Sequence, residues 1–400
     1  MDILYFLSIP VVNAFNVSTV LIDPLIVALL ALVIYGSLGR LAPFTISRID
    51  LWIAGFLGCV VLSTCINSNW LTGKSANHLA AVFACYAMFY VVPIRIAKRL
   101  SIERILSLLW MGYVATTLFG LLEFVLINFA GKDLAGIVFR PSVTDYNPGF
   151  LDIVLIRSRS FFEESGYYAA YLALVAPLLY FYLWEIKKSR VQKYAFVFLS
   201  LASYFISFSI SLFIFLPLAV VLPGFLRKVV EGRVTPRMML LVVSVVALVA
   251  LALSSDMVSD LLFARKAASF NDRNDKFEVT LDLMLRANPL HAIFGYGPGS
   301  YSLLNVDPAI SVYLNFWRDY GALGLGVYLA TTVYFLKVCF QDRSKFGVAV
   351  FTSIAAIDLF FIATPVYFLP AYFLPLVLHK LKSARQSASE PLADGGLLGA

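Results

Sequence analysis

The sequence predicts an all-α polytopic membrane protein, and three observations carry that expectation. Hydrophobic residues make up 60% of the 400 positions and charged residues 14%, whereas soluble domains run near 45–50% apolar and about 25% charged. Apolar runs recur along almost the whole chain, which excludes a soluble enzyme with a single anchor. Basic residues gather in the short connections between those runs, as in loops that stay on the cytoplasmic side of a membrane. A cleaved signal peptide is not expected, because no basic stretch precedes the first apolar run and no small-residue cleavage site follows it. Cys59, Cys65, Cys85 and Cys339 all fall inside apolar segments and read as free core thiols.

A spanning helix needs about 20 apolar residues, fewer when it is packed inside a bundle. About twelve stretches satisfy this: 3–17, 19–36, 50–66, 77–93, 105–130, 166–184, 194–207, 209–226, 238–254, 321–340, 347–363 and 366–379. Residues 194–226 are too many for one span, and 207–211 is where the stretch should fold into a hairpin. Clusters at Arg95, Lys98, Arg99 and Arg104, at Lys187, Lys188, Arg190 and Lys193, and at Arg227, Lys228, Arg233 and Arg237 then fall on one side. Arg343, Lys345, Lys380, Lys382 and Arg385 join them, so both termini are expected to be cytoplasmic. The net charge of +7 follows from this orientation and implies no nucleic-acid partner. Residues 1–382 form one transmembrane bundle, and 383–400, polar and rich in small residues, read as a disordered cytoplasmic tail.

Two outer-face loops are long, 131–165 and 255–320. Loops beyond about 15 residues are usually functional or disordered, and the apolar and aromatic content of these two speaks against disorder. Seven arginines lie on that face: Arg140, Arg157, Arg159, Arg265, Arg273, Arg286 and Arg318. Some would pair with nearby carboxylates. Guanidinium groups also match phosphate oxygens in paired geometry, and several beside a bilayer suit a lipid-linked phosphate.

Arg157-Ser-Arg-Ser-Phe-Phe-Glu-Glu-Ser-Gly places two cations and two carboxylates before a helix. Glu164 and Ser165 suit a helix start. Glu164, with Glu163 behind it, is equally a candidate base for deprotonating a hydroxyl, and Arg157 or Arg159 a candidate phosphate ligand. In the second loop, 272–287 reads as an amphipathic helix with Asn271 or Asp272 as N-cap and Pro289 as its stop. Phe277, Leu281, Met284 and Leu285 share one face, suited to the bilayer surface or the bundle. Arg273 falls in the first turn, where a cation conflicts with the helix dipole unless an anion is held there too. Pairing with Asp272 or Asp275 is the alternative.

Phe294-Gly-Tyr-Gly-Pro-Gly-Ser-Tyr301 follows. Gly295, Gly297 and Gly299 let the chain turn tightly and approach a ligand, with Tyr296 between them, but no βαβ unit surrounds them and a nucleotide fold is rejected. Thr72-Gly-Lys-Ser75 lacks the P-loop glycine, since position 68 is Ser68. His78, His291 and His379 are too scattered for a histidine metal site. Asp256, Asp260, Asp272 and Asp275 could bind Mg²⁺, although no spacing demands it. Asp23, Glu123 and Asp358 are the acidic residues inside apolar spans, and of these Asp358 is the deep one.

The order of these parts resembles the O-antigen polymerase and ligase superfamily, most nearly its exopolysaccharide polymerase branch. The matching features are R-x-x-S-x-F-x-E-S before a helix, then a larger loop holding Arg273. Asn288-Pro-Leu-x-x-x-Phe-Gly-Tyr-Gly-Pro-Gly-Ser-Tyr and Tyr313-Leu-x-x-x-x-Asp319-Tyr-Gly-x-Leu-Gly-Leu325 follow, over roughly 150–340. The Arg and Gly of the family's Thr/Ser-Arg-Gly-like turn are absent at 207–211. The resemblance implies a GT-C-like bundle in a bacterial inner membrane, active on the periplasmic face. There it would polymerise undecaprenyl-diphosphate-linked repeat units by inverting glycosyl transfer, without a cofactor. It assigns the lipid diphosphate to Arg157 and Arg273, with Arg159 and Arg265 nearby. It places Gly295, Tyr296, Gly297, Gly299 and Tyr313 in the substrate loop, and makes a chain-length regulator and a flippase candidate partners. A ligase acting on lipid A core or protein is the same-fold alternative. Ile310-Ser-Val-Tyr-Leu314 lacks the histidine that ligases carry there, which favours polymerisation. A carrier flipping lipid-linked sugars is the alternative of a different class.

Overall fold

The computed structural model describes residues 2–9, 24–70, 73–98, 100–132, 134, 149–150, 153–162, 164–207, 209–231, 267–302, 304–307, 309, 311–362 and 370–389, with a few isolated positions between 233 and 244. The helices are α1 (Asp2–Ser8), α2 (Pro24–Ser37), α3 (Arg48–Ile66) and α4 (Gly73–Tyr86), the last running through a π-turn, Ala87–Val91, into α5 (Val92–Ala97). There follow α6 (Ile102–Ala130), α7 (Ser165–Phe181) with a π-turn Tyr182–Lys187, α8 (Arg190–Ser207) and α9 (Ile210–Val230). The remainder are α10 (Ala267–Leu285), α11 (Pro289–Phe294), α12 (Val312–Gln341), α13 (Lys345–Phe360) and α14 (Pro370–Ser389). Gly149–Phe150 and Ile153–Val154 form a two-residue antiparallel pair, the only strands among the described residues.

Among the described residues, five helices are long and apolar enough to cross a membrane: Arg48–Ile66, Ser75–Ala97, Ile102–Ala130, Ser165–Lys187 and Val312–Gln341. At the centre lie α7 and α13, buried on nearly every side and packed on each other. They are apolar all round, as buried helices are. Around them α6, α8, α9 and α12 present outward residues such as Leu118, Phe198, Val220 and Val333. Such a surface is a liability in water and is what hydrocarbon accepts. The chain is a polytopic helical membrane protein in its helix lengths and its apolar exterior.

Contacts between helix ends sort the connections onto two faces. On one, Lys380 Nζ lies 2.5 Å from Asp50 Oδ2, whose other oxygen accepts from Tyr90 at 2.9 Å. On the same face Lys382 pairs with Asp342 at 2.7 Å, Lys345 with Glu185 at 2.8 Å, and Arg385 donates to the Leu100 carbonyl. These are the ends the positive charge pattern grouped together. On the opposite face, Asn67 meets Gly295, Val312 N donates to the Phe361 carbonyl, and Ser158 N donates to the Ile206 carbonyl.

Several expectations are corrected. The long stretch breaks at Ser207, as expected, but α8 packs on α6 and α7 while α9 packs on α13 and α7, so among the described residues the halves part and make no hairpin. The tail expected from 383 stays helical to Ser389. Cys65 is exposed, whereas Cys85 and Cys339 are buried thiols. The expected span 238–254 lies outside the described residues except at isolated positions, and all of 10–23 and 390–400 lie outside them.

Candidate functional site

The arginine segment does not ride on the surface. Asn128, near the end of α6, donates to the Ile156 carbonyl at 2.9 Å and accepts from its N–H at 2.5 Å. Ser158 Oγ donates at 2.9 Å to Glu123 Oε2, and Ser160 Oγ donates to the Thr116 carbonyl at 2.6 Å. Only four residues separate Ile156 from Ser160 while their partners Asn128 and Thr116 are twelve residues apart on α6, so the chain runs nearly extended down the helix, by at most about 14 Å. It then turns at Ser160, where φ is 51°, and climbs back to α7, whose Tyr168 lies beside Gly120. This is a re-entrant segment, and non-helical backbone at such depth survives only if protein groups satisfy it.

Glu123 supplies most of that satisfaction. It is fully buried, and Oε2 accepts from Arg159 N at 2.8 Å and Ser160 N at 2.7 Å as well as from Ser158. The left-handed Ser160 makes the two consecutive N–H groups converge on one oxygen, a backbone nest. Arg159 is thereby held with 8% of its surface exposed, and Arg157 is half-buried just above it. Phe161 stacks on Phe119 with centroids 4.3 Å apart, and Phe162 packs on Tyr168 and Tyr171. Glu164 is the N-cap of α7 but makes no capping hydrogen bond with its side chain, which is exposed. Glu163 lies outside the described residues.

The glycine loop has a different task from the expected one. Within α12 the backbone leaves the helix at Gly321 (φ 69°, ψ −174°), ending a half-helix whose last carbonyls need donors. Tyr296 N donates to the Arg318 carbonyl at 2.8 Å and Gly297 N to that of Asp319 at 3.0 Å. Ser63 Oγ adds a second donor to the Asp319 carbonyl at 2.7 Å, and Asn67 ties down Gly295. A Cβ on Gly295 would stand 2.5 Å from the backbone of Asp319 and Gly321, and one on Gly321 would collide with the Ile293 carbonyl. The close approach at Gly295 and Gly321 is of backbone to backbone. Arg318 and Asp319, 1% and 3% exposed, pair at 2.8 Å beneath this cap, and Ser300 Oγ donates to the same Asp319 oxygen at 3.0 Å. Arg318 also lies over the Tyr301 ring, and His78 meets the Tyr320 hydroxyl at 3.2 Å. Tyr296 stacks on His291, and partial burial there raises the Tyr296 phenol and lowers the His291 imidazole from their ordinary values. Tyr313 turns inward and donates to the Asp358 carbonyl at 2.8 Å, so it fastens α12 to α13 rather than lining a substrate loop.

The expected helix 272–287 begins at Ala267, four residues before Asn271. Asn271 and Asp272 are therefore inside it, and Arg273 is in its second turn, which removes the helix-start argument for a phosphate at Arg273. The Arg273 side chain and all of Arg265 lie outside the described residues. Of the expected face, Met284 packs inward beside Thr280, while Phe277 and Leu285 are exposed. Pro289 opens α11, with Asn288 as its cap, instead of merely ending α10. Glu123, Arg318 and Asp319 emerge as organising residues. Glu123 showed in the sequence only as an acid inside an apolar span.

Comparison with models of known protein families gives no match, and neither does comparison with curated proteins.

Proposed function

We propose that the chain is a membrane glycosyltransferase that polymerises undecaprenyl-diphosphate-linked repeat units. In this reading it is a GT-C-like bundle of about twelve spans in a bacterial inner membrane, with both termini cytoplasmic and its site periplasmic. The observation that supports it best is the segment 156–162, in which the buried Glu123 carboxylate binds the backbone of Arg159 and Ser160 and so fixes an arginine-bearing turn against α6, toward the end of the bundle away from the Asp50–Lys380 pair. Guanidinium groups match phosphate oxygens in paired geometry, and a lipid-borne diphosphate would arrive at that end of the bundle.

In the reaction, an acceptor hydroxyl attacks the anomeric carbon of the donor. The bond from that carbon to the diphosphate oxygen breaks as the new glycosidic bond forms on the opposite face, with inversion. The electron pair leaves with the lipid diphosphate, where Arg157 and Arg159, joined by Arg273, stabilise the growing charge. The acceptor proton passes to a carboxylate, for which Glu164 is the assignment, with Glu163 behind it.

Purified protein reconstituted with lipid-linked repeats should lengthen the glycan, and activity should survive EDTA. Arg157→Ala, Arg159→Ala and Arg273→Ala should each insert and fold yet fail to elongate. Undiminished polymer from all three refutes the reading. Transfer to lipid A core instead of a second repeat would make the protein a ligase, and movement of substrate without change of length would make it a carrier.

A further inference from the structure

Helices α10 and α11 form an elbow against the rest of the bundle. Through Thr280 and Met284, α10 buries one side near α12, and α11 packs on α12 and the end of α3. The height of this elbow follows from α3. That helix runs from Arg48 to Ile66, 19 residues or about 28 Å, which matches the ~30 Å hydrocarbon thickness of a bilayer. One end of it is fixed by the Asp50–Lys380 pair. The other is Asn67, whose amide donates to the Gly295 carbonyl at 3.1 Å, immediately after α11. The elbow therefore sits at the boundary where hydrocarbon ends.

At that height it exposes large apolar side chains on one flank. Phe277 and Leu285 are 45% and 70% exposed and stand eight residues apart on α10, with half-buried Leu281 between them. Leu290 and Ile293 are about half-exposed on α11. Asp275, Asp282 and Arg286 are exposed on the other flank of α10, with Glu278 at its border beside Leu285, and with Val279 the one exposed apolar residue among them. The neighbouring spans continue the apolar flank, since Leu62 of α3 and Leu323 of α12 are exposed at the same end.

We propose that the α10–α11 elbow is an interfacial element. Its Phe277–Leu285 and Leu290–Ile293 flanks would lie among the acyl chains of the outer-end leaflet, with its acidic flank in the headgroup water. The occupant of this surface is lipid. Three exposed acids against one arginine on the polar flank and its border make the docking apolar in origin, indifferent to anionic headgroups. Because Tyr296 and Gly297 cap α12 directly after α11, the elbow ties the position of that cap to the bilayer surface. None of this depends on the proposed reaction.

The test uses the full chain in phosphatidylcholine vesicles, with the native cysteines replaced and nitroxides placed at Leu285, Leu290 and Asp282. Power saturation should show Leu285 and Leu290 accessible to oxygen and shielded from a nickel chelate, and Asp282 the reverse, with no change on adding phosphatidylglycerol. Equal exposure of all three to nickel overturns the proposal, as does shielding of Leu285 and Leu290 from both reagents, which a second copy or a protein partner would give. Leu285→Trp in the otherwise native chain provides a second readout. Its emission should shift to the blue and be lost to brominated lipid more strongly than that of Asp282→Trp, and equal quenching overturns the proposal.

Discussion

The Glu123 carboxylate and the Ser160 backbone N–H, 37 residues apart in sequence, meet at 2.7 Å inside the bundle. Through this contact and its two companions, a helix that looks like an ordinary span becomes the wall of a site. Glu123→Ala would leave two buried backbone donors without their acceptor, while the Ser158 hydroxyl keeps the Gly120 carbonyl, at a cost on the order of 2–5 kcal/mol. Glu123→Gln keeps an accepting oxygen and should cost much less. Thermal unfolding and protease cleavage within 155–162 should rank Ala well below Gln, and equal values would deny Glu123 this role.

A planar fork is required if Arg159 is to reach a phosphate from its confined position, so Arg159→Lys should retain fold and charge and lose activity about a hundredfold or more. The comparison is of elongation rates at matched protein levels in vesicles. Full activity in the lysine variant would mean that charge alone suffices there.

Gly321→Ala should prevent correct folding, because the new methyl group meets the Ile293 carbonyl, which is rigid backbone, and because φ at 321 is 69°. Gly326→Ala, five residues on in the same helix, meets nothing within 4 Å and should leave stability unchanged or slightly raised. Monodisperse yield in detergent distinguishes the two.

At the opposite face, burial alone would raise the Asp342 carboxyl, but hydrogen bonds from Lys382 and Ser344 outweigh it and hold the group below its ordinary value. A depressed carboxylate stabilises the fold above its unfolded pKa and loses that contribution as pH falls through the folded one. The connection between α12 and α13 should therefore loosen below about pH 4. Hydrogen exchange over 340–348 should accelerate there in the wild type, and Asp342→Asn should already be fast at neutral pH with a flatter profile. Gly347→Ala should act similarly, since its Cβ would stand 2.6 Å from Asp342 Cγ.

The helices were legible where hydrophobic length alone decides. The expected 105–130 is α6, and the expected 321–340 begins at the break in α12, because both depend on apolar runs bounded by polar residues. The re-entrant segment was not legible, since the partners of Glu123 are mostly backbone N–H groups, which every residue other than proline carries. Gly295 and Gly297 were rightly read as turn residues, with φ of 75° and 91°, yet what they approach is set by a helix break some 25 residues later. The start of α10 was misplaced because Asn271 and Asp272 are strong cap residues locally, and the four preceding residues extend the helix regardless.

Lys380 and Asp50 are separated by 330 positions, and both are almost fully enclosed once joined. During synthesis on the ribosome, Asp50 emerges early and must wait for nearly the entire remaining polypeptide before its counter-charge exists. The first helices can enter the membrane in turn, but their final seating is postponed until α14 arrives. A nascent chain halted before that helix would thus hold Asp50 with only the neutral donors Ser47 and Tyr90 and without its counter-charge.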